Sequence, residues 1–173
     1  MTRRLDDDDV PAGAAVATLA AGCFWGVEEI LRGVAGVLDT QVGYTGGTLA
    51  EPTYRDVIRG DTGHAEALRI VFDPQQIGYE QILDLFFRLH DPTTRNRQHN
   101  DVGPQYRSAI FYHDEEQREV AERVKRRVDE SGEHRRPVVT EIVAASTFWE
   151  AEEYHQDYLR KNPAGYNCHF LRD

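Results

Sequence analysis

The chain has 173 residues and a formal net charge of −10, with 40% hydrophobic and 29% charged residues. That length suits one domain with a real core, and the acidic balance excludes the basic face that a nucleic-acid partner calls for. No apolar run approaches the roughly 20 residues of a membrane-spanning helix, and Asp6-Asp7-Asp8-Asp9 stands where a secretory signal needs an apolar stretch.

Residues 1–12 read as an acidic disordered tail ahead of a single domain over 13–173. The two cysteines, Cys23 and Cys168, are too few for a disulfide scaffold and too far apart for a CxxC motif. In a cytoplasmic chain such a pair is more often catalytic or redox-active. A structural zinc site wants more ligands at short spacings, so no metal is expected.

Ala14 to Ala20 reads as a buried strand running into Gly22-Cys23-Phe24-Trp25-Gly26. Phe24, Val27, Ile30 and Leu31 then fall on one stripe of a helix, with Glu28, Glu29 and Arg32 on a charged outer face and Gly33 and Gly36 closing it. Cys23 stands at the start of that helix. The positive end of the helix dipole favours thiolate, so the thiol pKa is expected to fall from about 8.5 toward neutrality.

Val37 to Tyr44 forms a second strand before the glycine cluster Gly43 to Gly47. Thr48 to Gly63 is loop-like, with Tyr54 inside it, and loops of that length tend to carry function. From His64 to Phe72, alternation puts His64, Glu66, Leu68, Ile70 and Phe72 on one face of a strand. A carboxylate among large apolar side chains must be paired or stay protonated, which would make Glu66 a proton donor. A glutamate reaching solvent from the strand end is the equal alternative.

Ile77 to Leu89 is an amphipathic helix ended by Asp91-Pro92. Thr93 to Gln105 is irregular, Tyr106 to Tyr112 a strand, and Asp114 with Gln117 has capping-box spacing for a helix that buries Gln117, Ala121, Val124 and Val128. Pro137 to Val143 reads as the last strand and Phe148 to Leu159 as a terminal helix in which His155 is a hydrogen-bonded structural histidine. Lys161 to Cys168 is loop-forming, leaving the second thiol where the backbone is least constrained. This order predicts an α/β (α+β) two-layer sandwich, a mixed sheet with a ferredoxin-like βαβ-βαβ core and an extended C-terminal tail.

A helix-start thiol beside two aromatics, a glutamic acid on an apolar face, tyrosines on loops and a second thiol in a tail match what reduction of a sulfoxide requires. A soft nucleophile attacks sulfur, a donor protonates oxygen, and the resulting sulfenic acid condenses with a second thiol. The chain resembles the methionine sulfoxide reductase A family at five ordered blocks. These are Gly22 to Gly26, Gly60 to Glu66, His90-Asp91-Pro92, Asn100-Asp101 with Gln105 to Ser108, and Glu153 to Gln156 through Pro163.

The resemblance implies reduction of methionine-S-sulfoxide, in proteins and as the free amino acid. It makes Cys23 the nucleophile, Glu66 the proton donor, Phe24 and Trp25 the walls of a methyl pocket, and Tyr54 and Tyr106 hydrogen-bonding groups on the sulfoxide oxygen. Asp101 would order the site, Tyr166 would join the substrate pocket, and Cys168 would resolve the sulfenic acid. Asn167 stands between Tyr166 and Cys168, and the chain lacks a further recycling cysteine. The implied relay is then one disulfide, Cys23 to Cys168, reduced by thioredoxin or by dithiothreitol in vitro, with no bound cofactor. A monomeric cytoplasmic repair enzyme without membrane or nucleic-acid partners is the corresponding expectation. Two other readings are a cysteine acyltransferase or hydrolase with His64 or His155 as base, and a redox-sensing module switched by a disulfide.

Overall fold

A computed structural model describes residues 2–173. Nine strands form among the described residues: β1 (Arg3–Leu5), β2 (Ala15–Ala21), β3 (Val37–Thr45), β4 (Ala65–Phe72), β5 (Arg97–Gln98), β6 (Asp101–Val102), β7 (Ser108–Tyr112), β8 (Glu141–Ala144) and β9 (Phe148–Glu150). The helices are α1 (Phe24–Leu31), α2 (Tyr54–Ile58), α3 (Tyr79–Leu89), α4 (Glu115–Glu130) and α5 (Tyr158–Lys161).

Seven strands build one sheet in the order β1-β9-β3-β4-β2-β7-β8, and β5 pairs with β6 separately. The central four, β3-β4-β2-β7, with α1 and α3 as crossovers, have the split βαβ order expected from the sequence. All four pair antiparallel; β8 joins β7 in parallel after the α4 crossover, which makes the sheet mixed. Strand β4 lies between β2 and β3, and every residue in it is buried.

Alternation on β4 sorts its side chains into two clusters. Leu68, Ile70 and Phe72 enter the main core with Phe24, Val27 and Leu31 of α1, Phe86 of α3 and Val124 of α4. Ala65 and Ala67 face the other way, toward Leu5, Phe111 and Phe148. One face is therefore thick with helices, while the other is thin and filled mainly by small residues. Asp114 accepts from the backbone N–H of Gln117 as a helix cap should, but the Gln117 side chain accepts from His113 N–H and donates to Val16 O, tying α4 to β2.

Thr48 to Gly63 and Thr93 to Gln105, read as loop-like and irregular, contain α2 and the β5–β6 pair, and three segments depart further from expectation. Residues 148–159 are not one helix: Phe148–Glu150 is a strand, Glu153–His155 a 3₁₀ turn, and only Tyr158–Lys161 is helical. The open edge of β3 accounts for this, because β9 pairs with Gly43 and Tyr44, and satisfying the backbone groups of two strands outweighs a helical spacing of side chains. A Cβ on Gly43 would meet the Phe148 ring at 2.5 Å, so glycine is what lets β9 approach. Pro137 to Val143 is accordingly not the last strand, and its extended part is Glu141–Ala144.

Within the acidic segment 1–12, read as disordered, Arg3–Leu5 pairs with β9, Leu5 is buried and Asp7–Asp9 forms a 3₁₀ turn; Met1 lies outside the described residues. Covering the edge of β9 and burying Leu5 supply the free energy that composition alone did not suggest.

Candidate active site

Strand β2 ends in a sharp turn at Gly22, whose φ of 90° suits glycine, and a Cβ there would lie 2.7 Å from Cβ of Gln98. Cys23 follows as the N-cap of α1. The Trp25 backbone N–H, in the first turn of α1, is directed at its sulfur, which lies at the positive end of the helix while remaining buried.

The thiol pKa does not fall. Burial pushes it well above the ordinary value, the charge of Glu66 adds to that, and only a hydrogen bond from the Trp25 backbone opposes them; Asp101 and Cys168 raise it further. Eight residues give α1 little more than two turns of dipole, and the desolvation of a buried sulfur outweighs it.

Glu66 lies on β4 opposite Tyr44 and is 2% exposed. The backbone N–H of Phe24 donates to its Oε1 at 3.3 Å. Burial raises its pKa to about 8 against the lowering effect of that bond, with Asp101 raising it further. At neutral pH the carboxyl is mostly protonated, and the solvent-reaching alternative is excluded by its burial.

Tyr54 opens α2, whose Thr53 cap forms a capping box with Asp56. Tyr106 ends the 3₁₀ turn Pro104–Tyr106. Burial and then Glu66 raise both phenols, Tyr54 to about 12, and Cys23 and Asp101 contribute to each. Five predicted site residues, Cys23, Glu66, Tyr54, Tyr106 and Asp101, thus share one electrostatic neighbourhood.

Asp101 on β6 links this group to the C-terminal segment. Its Oδ2 accepts from Tyr166 Oη at 3.2 Å and from Cys168 Sγ at 3.9 Å. Both cysteines are free thiols; Cys168 is half-buried and its pKa is raised, first by burial.

The segment carrying Cys168 is not loose. His169 Nε2 bonds Ala21 O at 2.6 Å, and Arg172 donates to the carbonyls of His90 and Phe87 at the end of α3 at 2.7 and 2.5 Å. The signal lay in the sequence as a buried-type histidine and an arginine, but their carbonyl partners are distant in the chain.

Phe24 and Trp25 occupy an aromatic group absent from any single stretch of sequence. Phe24 is 1% exposed and tilts against Tyr44 and His155. Trp25 stacks on Tyr158 with ring centroids 3.8 Å apart, and its indole N–H donates to His155 Nδ1 at 3.0 Å. An indole is a donor only, so Nδ1 accepts and the neutral ring carries its proton on Nε2. Burial lowers the His155 pKa to about 4.

Neither histidine offered as a base is hydrogen-bonded to the thiol. His64 contacts Gly47 N and Leu49 O, and His155 holds Trp25. Two glutamates hold structure that the sequence does not announce. Glu152 accepts from Tyr44 Oη and from Tyr54 N, fixing α2 beside β3. Glu28, read as outer face with Glu29, is 1% exposed, whereas Glu29 does pair at the surface with Arg32.

A free, buried thiol at a helix start, with a buried carboxyl and a second thiol close enough to raise its pKa, is a setting suited to cysteine redox chemistry. Comparison with known proteins supplies the family. Residues 15–172 match the model of peptide methionine sulfoxide reductase. Peptide methionine sulfoxide reductase MsrA of Methanothermobacter thermautotrophicus is 57% identical over 156 residues, 90% of this chain and 92% of that one. MsrA of Nocardia farcinica is 55% identical over 90% of this chain and 89% of its own.

The reduced form of Mxr1 from Saccharomyces cerevisiae superposes with a TM-score of 0.89 at 38% identity, covering 98% of this chain and 97% of that one. An unusual oxidised form of Mxr1 gives 0.69 at 37% identity, covering 98% and 93%. Mxr1 in complex with Trx2 gives 0.65 at 28% identity, covering 94% and 93%. The chain belongs to the peptide methionine sulfoxide reductase A family, and is an oxidoreductase.

Proposed function

We propose that residues 13–173 act as one catalytic unit that reduces methionine-S-sulfoxide, in proteins and as the free amino acid, and that thioredoxin restores the enzyme. The observation that carries this reading is the buried Glu66 carboxyl accepting from Phe24 N–H, one residue from the thiol, where burial raises its pKa and favours the protonated form.

Cys23 sulfur attacks the sulfoxide sulfur while Glu66 delivers a proton to the oxygen, aided by the Tyr54 and Tyr106 hydroxyls; Phe24 and Trp25 receive the methyl group. With Glu66 neutral, its contribution to holding the thiol protonated disappears, which favours ionisation of Cys23 at the moment of attack. The oxygen, now a hydroxyl, passes from the substrate sulfur to Cys23 sulfur: a Cys23 S–O bond forms, the substrate S–O bond and the transient sulfur–sulfur bond break, methionine leaves with the electron pair, and the thiol's proton restores the Glu66 carboxyl, leaving Cys23 as a sulfenic acid. Cys168, kept near by Asp101 and Tyr166, attacks that sulfur; a Cys23–Cys168 disulfide forms and water departs. A dithiol partner then reduces the disulfide by exchange and is itself oxidised.

Support for thioredoxin as that partner comes from the structure of Mxr1 with Trx2, and dithiothreitol replaces it in vitro. Two unpaired thiols accord with a reducing, cytoplasmic setting, where the protein works as a monomer without a bound cofactor. The test supplies both epimers of methionine sulfoxide, free and in a peptide, with the thioredoxin system. Turnover of the S epimer alone, in both forms, is expected. Reduction of the R epimer, or none of either, would overturn the reading.

A further inference from the structure

Glu28 is a buried carboxyl group for which the proposed chemistry has no use; burial raises its pKa to about 7 against the hydrogen bonds it accepts from Thr40 and Asp157. It lies on α1 one turn beyond Trp25 and accepts two hydrogen bonds, Thr40 Oγ1 to Oε2 at 2.8 Å and the backbone N–H of Asp157 to Oε1 at 2.7 Å. Asp157 is in the left-handed region, φ 51° and ψ 35°, which a residue with a Cβ adopts reluctantly. It sits between two residues that define the position of Trp25. His155, two positions before, accepts from the indole N–H, and Tyr158, the next residue, stacks on the indole face.

The turn at Asp157 is what allows one short segment to reach both the edge and the face of the same indole. The Glu28 carboxyl group holds that turn, and it springs from the same helix as Trp25. The helix therefore positions its own aromatic side chain twice, directly through the backbone and indirectly through Glu28, Asp157 and the residues on either side.

We propose that Glu28 is a positioning residue for substrate recognition: by holding Asp157 N–H it fixes His155 and Tyr158 around Trp25 and sets the size of the pocket that receives the alkyl group of the sulfoxide. The recognition part rests on the proposed function; the positioning part does not. Glu28 touches neither thiol, so it acts on binding and leaves the chemical step alone. The requirement is for an acceptor at Oε1. Glutamine keeps that carbonyl oxygen, and the Thr40 hydroxyl can turn to accept from its amide.

Two readouts test the two parts. In a Trp149→Phe background Trp25 is the remaining indole of the two in the chain. Glu28→Ala is expected to lower its fluorescence anisotropy, and Glu28→Gln to preserve it. In steady-state assays with a methyl sulfoxide, Glu28→Ala is expected to raise KM about tenfold with kcat little changed. Ethyl and methyl sulfoxides should then be reduced with more nearly equal kcat/KM, while Glu28→Gln stays within about twofold of wild type.

Adding Asp157→Gly to Glu28→Ala removes the cost of the left-handed turn and is expected to recover much of both the anisotropy and KM. That double variant also serves if Glu28→Ala alone does not fold. Unchanged anisotropy in Glu28→Ala, or in the double variant a loss no smaller than in Glu28→Ala, would overturn the positioning role. A rigid-to-mobile change of Trp25 with KM and alkyl preference unaltered would overturn the link to recognition. Absence of sulfoxide turnover by the unsubstituted protein would instead strike the proposed function.

Discussion

Cys23 and Cys168 lie close enough to feel each other's charge, yet the chain holds them by different means. Cys23 is fixed by regular structure: β2 delivers it, and α1, which starts on it, packs Phe24, Val27 and Leu31 into the core. Cys168 is in a segment without regular secondary structure, held by a few polar pegs, His169 on Ala21 O and Arg172 on the α3 carbonyls. Core packing is broken only by unfolding, whereas a set of hydrogen bonds can be exchanged one by one with water at a net cost of about 1 kcal/mol each. The proposed relay needs that division. A thiol that must meet substrate at a set geometry gains from rigidity, and one that must approach a second sulfur and then a partner gains from detachable ties.

The largest expected effect separates the cysteines directly. Cys23→Ser is expected to lower sulfoxide reduction by roughly three orders of magnitude or more. Cys168→Ser should still produce one methionine per enzyme in a single-turnover assay and then stop with thioredoxin. Sustained thioredoxin-driven turnover by Cys168→Ser would dissolve the distinction.

Glu66→Gln should slow the first step about a hundredfold or more, with disulfide exchange unaffected. Wild-type single-turnover rates should fall as pH rises through about 8, where Glu66 loses its proton, and the variant should lack that limb. Stability carries the same signature. Glu66 stays protonated to about pH 8 when folded but ionises near the ordinary carboxylate value when unfolded, so folding loses stability between those values as pH rises. Glu66→Gln should be more stable than wild type at pH 8, by on the order of 4 kcal/mol, and the advantage should vanish near pH 4.

A smaller effect is expected from loosening the second region. Arg172→Ala removes two carbonyl ties, for about 1–2 kcal/mol of stability, and should raise the alkylation rate of Cys168 several-fold while single-turnover reduction stays at the wild-type rate. At the bottom of the scale, Glu80→Ala breaks surface pairs with Arg123 and Arg127 and should leave activity and the melting midpoint unchanged within error.

What could be read in advance depended on how far apart the deciding residues lie. The stripe of α1 and the alternation of β4 are local patterns, and both placed their residues correctly, Glu66 included. Glu28 follows the same helical geometry, but its burial depends on Asp157 and Thr40, neither of which its neighbours announce. Trp149, His155 and Tyr158 imitate a helix although each is placed by a partner distant in the chain: β1 and β3 for the first, Trp25 for the other two. The raised thiol pKa was illegible for a related reason. A helix start is visible in sequence, while the degree to which water is excluded from it is a property of everything packed above.

Gly26 joins the two regions in one atom's absence. A Cβ there would collide with the His169 ring and with Asn167 Oδ1. The notch it leaves works as a keyhole cut in the first turn of α1, and the C-terminal segment is its key. An alanine at this position would act as a doorstop, propping the segment away from the thiol it covers. The smallest side chain in the motif thereby decides whether the last seven residues can close over the first helix.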